Sequence, residues 1–140
     1  IYILASEKKQ AAEVPMKDVE LFVFRFLERI EQEYKIEIRE VNCDHSDVII
    51  NTLNEKRYIF RKTYKPPLED RPFLFSKMMA QGKFKMVCGR CNDLEQELQN
   101  LVYDPKQEKP IVLDDGSMQI DTWDSLTYAV SGNWHYLLDK

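Results

Sequence analysis

The chain has 140 residues, 44% of them hydrophobic and 31% charged, and carries a formal net charge of −4. That is the size and composition of one globular domain, no apolar run approaches the roughly 20 residues of a membrane-spanning helix, and no secretion signal is visible. The acidic balance excludes a protein that grips nucleic acid over its whole surface, so any such contact belongs to a local patch or to a neighbouring domain.

In chain order, Ile1–Ala5 is apolar and β-prone and reads as a strand. The opening on Ile1 rather than Met leads us to expect a piece of a longer protein. After a polar loop, Val19, Phe22, Val23, Phe26, Leu27, Ile30 and Tyr34 recur at helical spacing, and charged residues take the other faces; this predicts an amphipathic helix. Ile36–Asp44 alternates in the β manner, and its C-terminal end presents Asp44. Ser46 is placed to cap a short helix through Val48, Ile49 and Leu53, and Tyr58–Phe60 is a short strand. Pro66-Pro67 forces extended backbone.

A helix is then predicted over 70–81, with Asp70 as N-cap, Pro72 in the first turn and Gly82 closing the end. Lys83–Val87 reads as a strand. Asn92 and Glu95 have capping-box spacing ahead of a helix. A polar loop covers Asp104–Pro110, a turn falls at Asp115-Gly116, and the last helix runs from Thr122 to Leu137. Strands alternate with helices, which predicts an α/β layered domain with much parallel pairing.

Two carboxylates stand out. Asp44 ends a strand expected to be central, and ligands gather at the carboxyl ends of strands in open α/β sheets. Asp124 falls in the first turn of the last helix beside an apolar stripe, where a carboxylate is costly to bury unless it is paired or binds a metal. On spacing alone, the plainer readings are favoured: a turn residue for Asp44, and for Asp124 a helix N-terminal acid stabilised by the dipole. Lys56, Arg57, Arg61, Lys62 and Lys65 form a basic segment interleaved with Tyr58, Phe60 and Tyr64. It suits phosphate contacts and equally a solvated edge strand.

Cys88-Gly-Arg-Cys91 is a CxxC motif. Redox chemistry and half of a zinc site completed by Cys43 and His45 are the functional alternatives to ordinary small residues at a strand-to-helix junction, the reading preferred here. Three cysteines and no secretion signal point to a reducing, intracellular setting. Glu7 reads as a surface residue and His135 as structural.

Four segments in order carry a resemblance. EVNCDHSDVI resembles the second acidic motif of the nuclease domain of phage terminase large subunits. KPPLEDRPFLFSKMMAQGKFKM is similar to the stretch where a lysine precedes a helix with an internal Asp-Arg pair. CNDLEQELQNLVYDP looks like the following helix, and DTWDSLTYAV like the closing helix that carries the third acid. The likeness spans about Ile1 to Trp134. It implies an α/β, ribonuclease H-like fold over 1–140, a mixed sheet flanked by helices. It also implies endonuclease action on double-stranded DNA with a two-metal Mg²⁺ or Mn²⁺ site.

Carried over by position, Asp44 matches the second acid and Asp124 the third, with Asp121 and Asp47 as further ligands; Asp121 lies where the family often has a histidine. Lys65 matches the family lysine and leads the DNA-contacting set with Lys62, Arg61, Arg57 and Lys56. The family's first acid sits on a strand that would precede Ile1. The resemblance further implies a packaging ATPase domain, a small terminase subunit and a portal as partners, and a cytoplasmic setting in a bacterial host. No phosphate-binding glycine loop occurs, so ATP hydrolysis is not expected of this segment.

Overall fold

The computed structural model describes residues 1–9, 15–44, 50, 51, 53 and 57–138. The Ser46-capped helix start, Asp47, His45 and Lys56 lie outside the described residues. The protein is α/β and divides into two compact units, one of Ile1–Ser6 with Tyr64–Lys140 and one of Glu7–Thr63. Among the described residues no helix is long and apolar enough to cross a membrane.

In the first unit, β1 (Tyr2–Ile3) pairs in parallel with β4 (Lys85–Met86), with Tyr2 opposite Lys85 and Ile3 opposite Met86. The helices are α2 (Asp70–Ala80), α3 (Asn92–Asn100), α4 (Asp121–Val130) and the short α5 (Trp134–Leu138). Their apolar faces meet in a core of Leu74, Phe75, Met78, Leu94, Trp123 and Trp134, with others around them. Phe75 is its hub, edge-on to Trp123 at 4.9 Å and to Trp134 at 6.2 Å between ring centres, the arrangement that aromatic quadrupoles prefer.

The second unit holds α1 (Met16–Tyr34), β2 (Val41–Cys43) and β3 (Phe60–Lys62), the strands again parallel, with Cys43 opposite Lys62. Leu27, Ile50, Leu53, Tyr58 and Phe60 form its core, and Phe24 packs against Tyr58 and Phe60. The helix that the apolar spacing predicted is therefore present, and Lys35 closes it in the left-handed conformation at φ 56°.

Five local expectations are corrected. The last helix is not continuous to Leu137: Ser131–Asn133 forms a 3₁₀ turn between α4 and α5. Ser131 Oγ donates to the Tyr128 carbonyl at 2.8 Å, and Ser-Gly-Asn is a run of weak helix formers. The strand expected at Tyr58–Phe60 starts at Phe60 instead, because Tyr58 is drawn into the core to reach Glu31. Asp70 is the first helical residue rather than the N-cap, a place taken by Glu69. The Asn92–Glu95 capping box does not form, since the chain enters α3 one residue early with Cys91 at the N-cap. Where a plain loop was expected at Asp104–Pro110, Tyr103 and Val112 bridge antiparallel and make that loop the tip of a hairpin. The turn after it falls as expected: Gly116 has φ 80°, and Asp115 accepts from the Ser117 N–H at 2.9 Å.

Candidate functional site: a carboxylate-lined cleft at the start of the last helix

Three segments of the first unit enclose a cleft of about 290 Å³. Leu68 and Arg71 supply one wall from the entry to α2, Asp104, Val112 and Asp114 another from the hairpin and its exit, and Trp123 and Asp124 the third from the first turn of α4. The hairpin is tied to the α2 wall by Lys109, whose Nζ donates to Glu69 Oε1 at 2.6 Å. That bond holds the Glu69 carboxyl below its ordinary range. Asp104 is fixed in turn, for its Oδ1 accepts from the Lys106 N–H at 2.9 Å.

Asp124 is at the foot of this cleft because α4 turns Trp123, Leu126 and Thr127 into the core and leaves the position between them half-buried. Burial pushes its carboxyl above the ordinary value. The Arg71 charge opposes that rise, Asp114 adds to it, Lys65 opposes it and Asp121 adds to it. The direct partner is Arg71, whose Nη1 donates to Asp124 Oδ1 at 3.0 Å. Arg71 Nε also donates to the Pro66 carbonyl at 3.1 Å, so the extended Pro-Pro segment and α4 are clamped by one guanidinium. Tyr128, one turn beyond Asp124, has the Arg71 guanidinium 5.8 Å and the Lys65 ammonium 5.5 Å from its ring centre, both within cation–π range.

The sequence-predicted acids are thus distributed as follows. Asp124 lies in the cleft; Asp121 is exposed at the first residue of α4 and is not one of the cleft's lining residues. Asp44 is exposed directly after β2, at its carboxyl end, and belongs to the other unit. Mg²⁺ and Mn²⁺ take oxygen donors, which Asp104, Asp114 and Asp124 offer at one cleft. They do not complete a metal site: among the described residues no three His, Cys, Asp or Glu side chains are grouped to hold an ion, and Asp124 Oδ1 already accepts from Arg71.

The basic segment is partly spent on internal pairing. Arg57 reaches Glu31 Oε2 at 2.9 Å and lies 5.3 Å from the Tyr58 ring centre, and Arg61 meets Glu40 at 3.2 Å. Lys62 and Lys65 are exposed. In the CxxC motif, Gly89 turns at φ 72°, Cys88 is exposed and Cys91 is buried, both as free thiols. Burial pushes the Cys91 thiol up, which disfavours the reactive thiolate. These features agree with a structural junction.

Sequence reasoning left Asp104 in a polar loop, did not single out Asp114, and took Arg71 as part of a family segment rather than a partner of Asp124. It also passed over Glu97. This buried residue accepts from Thr122 N at 2.8 Å, Thr122 Oγ1 at 2.6 Å and Trp123 N at 2.9 Å. It caps α4 from a different helix and so fixes where the first turn, and Asp124 with it, begins. The signal available was the Leu-x-x-Glu-Leu pattern, which puts a glutamate on the apolar side of α3.

Comparison of the chain with family models, with curated proteins and with solved structures finds no match.

Proposed function

We propose that the chain is a ribonuclease H-like endonuclease domain of the kind that phage terminases use to cut concatemeric double-stranded DNA during packaging, with Mg²⁺ or Mn²⁺ as its metal. On this reading Asp44 and Asp124, matched to the family's second and third acids, are the principal ligands and Asp121 and Asp47 further ones, and Lys65 and Lys62 contact the DNA backbone, with Arg61, Arg57 and Lys56 in the same set. A packaging ATPase domain, a small terminase subunit and a portal are the partners.

The observation that carries the reading is the setting of Asp124. The residue matched to the family's third acid stands in the first turn of α4, half-buried, in a cleft that also holds Asp104 and Asp114. A surface helix acid favoured only by the dipole needs neither the burial nor the company of two further carboxylates. The fourfold likeness in sequence order supports it independently.

A second reading has an observation of its own. Arg71 already neutralises Asp124, as suits a fold that has lost cutting and serves as a docking or assembly module of the packaging motor.

Plasmid digestion separates them. Under the nuclease reading, supercoiled DNA is nicked and linearised in Mn²⁺, and the cutting disappears with EDTA and in Asp124→Asn. Absence of cutting by the folded chain, and by a version extended at its N-terminus with the acidic strand that the family carries, would leave the docking module.

A further inference from the structure

The first unit holds a larger space that the cutting of DNA does not use. It measures about 470 Å³, within the range of roughly 300–1,000 Å³ that small-molecule pockets occupy. A packed interior leaves few voids larger than a water. The walls come from α2, β4, α3, the hairpin and α4. Two of them are rings of the core, Phe75 and Trp123, which are buried and meet edge-on at 4.9 Å. Met79 and Tyr103 also line the space and stand 43% and 55% exposed. Large apolar side chains left in water singly are ordinary, but these two border one cavity.

The chemistry of the lining selects a ligand class. Phe75, Trp123 and Tyr103 offer aromatic surface, which pairs well with another ring. Met79 and Met86 add thioethers, which contact ring edges favourably and adapt to an irregular shape. Glu95 is the one charged residue among those lining the space, and it is exposed on α3. A carboxylate at the rim of an aromatic pocket favours a cation and opposes an anion.

We propose that this space binds a compact aromatic molecule carrying a protonated amine, with the rings against Phe75, Trp123 and the two methionines and the ammonium on Glu95. The site goes beyond the endonuclease reading and does not depend on it, since it uses neither a metal nor the pair of Arg71 with Asp124.

Three probes of one shape test it on the whole chain: biphenylmethylamine, biphenylmethanol and biphenylcarboxylate. The protein is labelled at its methionine methyl groups and each probe is titrated by NMR. Saturable shifts are expected at Met79 and Met86. The amine should bind about fivefold more tightly than the alcohol, the scale of an ion pair at an exposed rim, and the carboxylate should bind more weakly than either. Glu95→Gln should make amine and alcohol equal while leaving the alcohol's affinity unchanged. Ser76→Trp, which places a ring at an exposed position of the lining, should weaken all three. Absence of saturable shifts at Met79 and Met86 with every probe overturns the site. An order of affinities other than this one, or one that persists in Glu95→Gln, overturns the ligand class. Shifts at the same methyl groups that grow with protein concentration in the absence of probe would assign the space to a second copy of the chain and overturn the proposal. None of these outcomes bears on DNA cutting.

Discussion

Each unit buries a glutamate, and the two are employed differently. Glu97, in the first unit, accepts from the N-terminus of α4: two backbone N–H groups and the Thr122 hydroxyl. Glu31, in the second, gathers unlike donors, namely the Ile38 N–H at 2.8 Å, the Tyr58 hydroxyl at 2.9 Å and the Arg57 guanidinium at 2.9 Å. One finishes a helix; the other ties a helix, a loop and the approach to a strand. Both are saturated by their own unit. Asp124 differs from both, because its described side-chain partner is one guanidinium and it faces a cleft. A carboxylate whose lone pairs are filled by the fold has nothing to offer a ligand, and this contrast singles out Asp124 chemically.

The largest effect is expected at Glu97. Replacing it with Ala strands three donors in a buried site, and each such loss is expensive because water cannot take over. Glu97→Ala should destabilise the first unit by about 3 kcal/mol, read as a lower urea midpoint at unchanged slope. Glu97→Gln keeps one acceptor oxygen and should recover part of that. If Glu97→Ala unfolds no more readily than the unsubstituted chain, the cap is not what orders α4, and the contrast with Asp124 loses its basis.

What could be read from the chain divides along the same line as these contacts. The apolar spacing in α1 was legible because a helix face repeats within one element: Val23 and Phe26 pack on the core that Leu27 enters, although Phe24, which also packs there, stood outside the expected stripe. The place of Asp124 in a first helical turn was legible for the same local reason. The parallel pairing followed from the alternation of strands and helices. Glu97 was not legible as a cap, since its partners lie 25 and 26 residues away and local capping rules look only three residues ahead. The partnership of Arg71 with Asp124 spans 53 residues. The break at Ser131 shows the opposite failure, an apolar pattern that continues through a backbone that does not. Periodicity reports which face is buried and is silent on which hydrogen bonds end an element.

A smaller effect is expected in the second unit. Tyr58→Phe keeps the ring and its stacking on Phe24 and removes the hydroxyl that donates to Glu31. The cost should be about 2 kcal/mol, one hydrogen bond to a charged acceptor that keeps its other donors. A loss as large as that of Glu97→Ala would mean that Tyr58 is the principal anchor of Glu31 and that the two glutamates are more alike than their partners suggest.

The finest distinction lies in acid. The Ile38 N–H holds the Glu31 carboxyl below its ordinary value of 4.5; burial works against this, and the Tyr58 hydroxyl and the Arg57 charge reinforce it. A carboxyl whose folded value is depressed contributes stability that is present in full above 4.5, the value it returns to on unfolding. That contribution is lost as pH falls through the lower, folded value, where the native state too takes up the proton. Glu31→Gln carries no such charge, so the stability gap between it and the unsubstituted chain should be widest above 4.5 and close progressively in more acidic solution. Urea unfolding of both proteins across that range reads the gap directly. A gap that stays constant with pH would mean that Glu31 acts through its shape and hydrogen bonds alone, and that Arg57 is free to serve the basic segment instead of the fold.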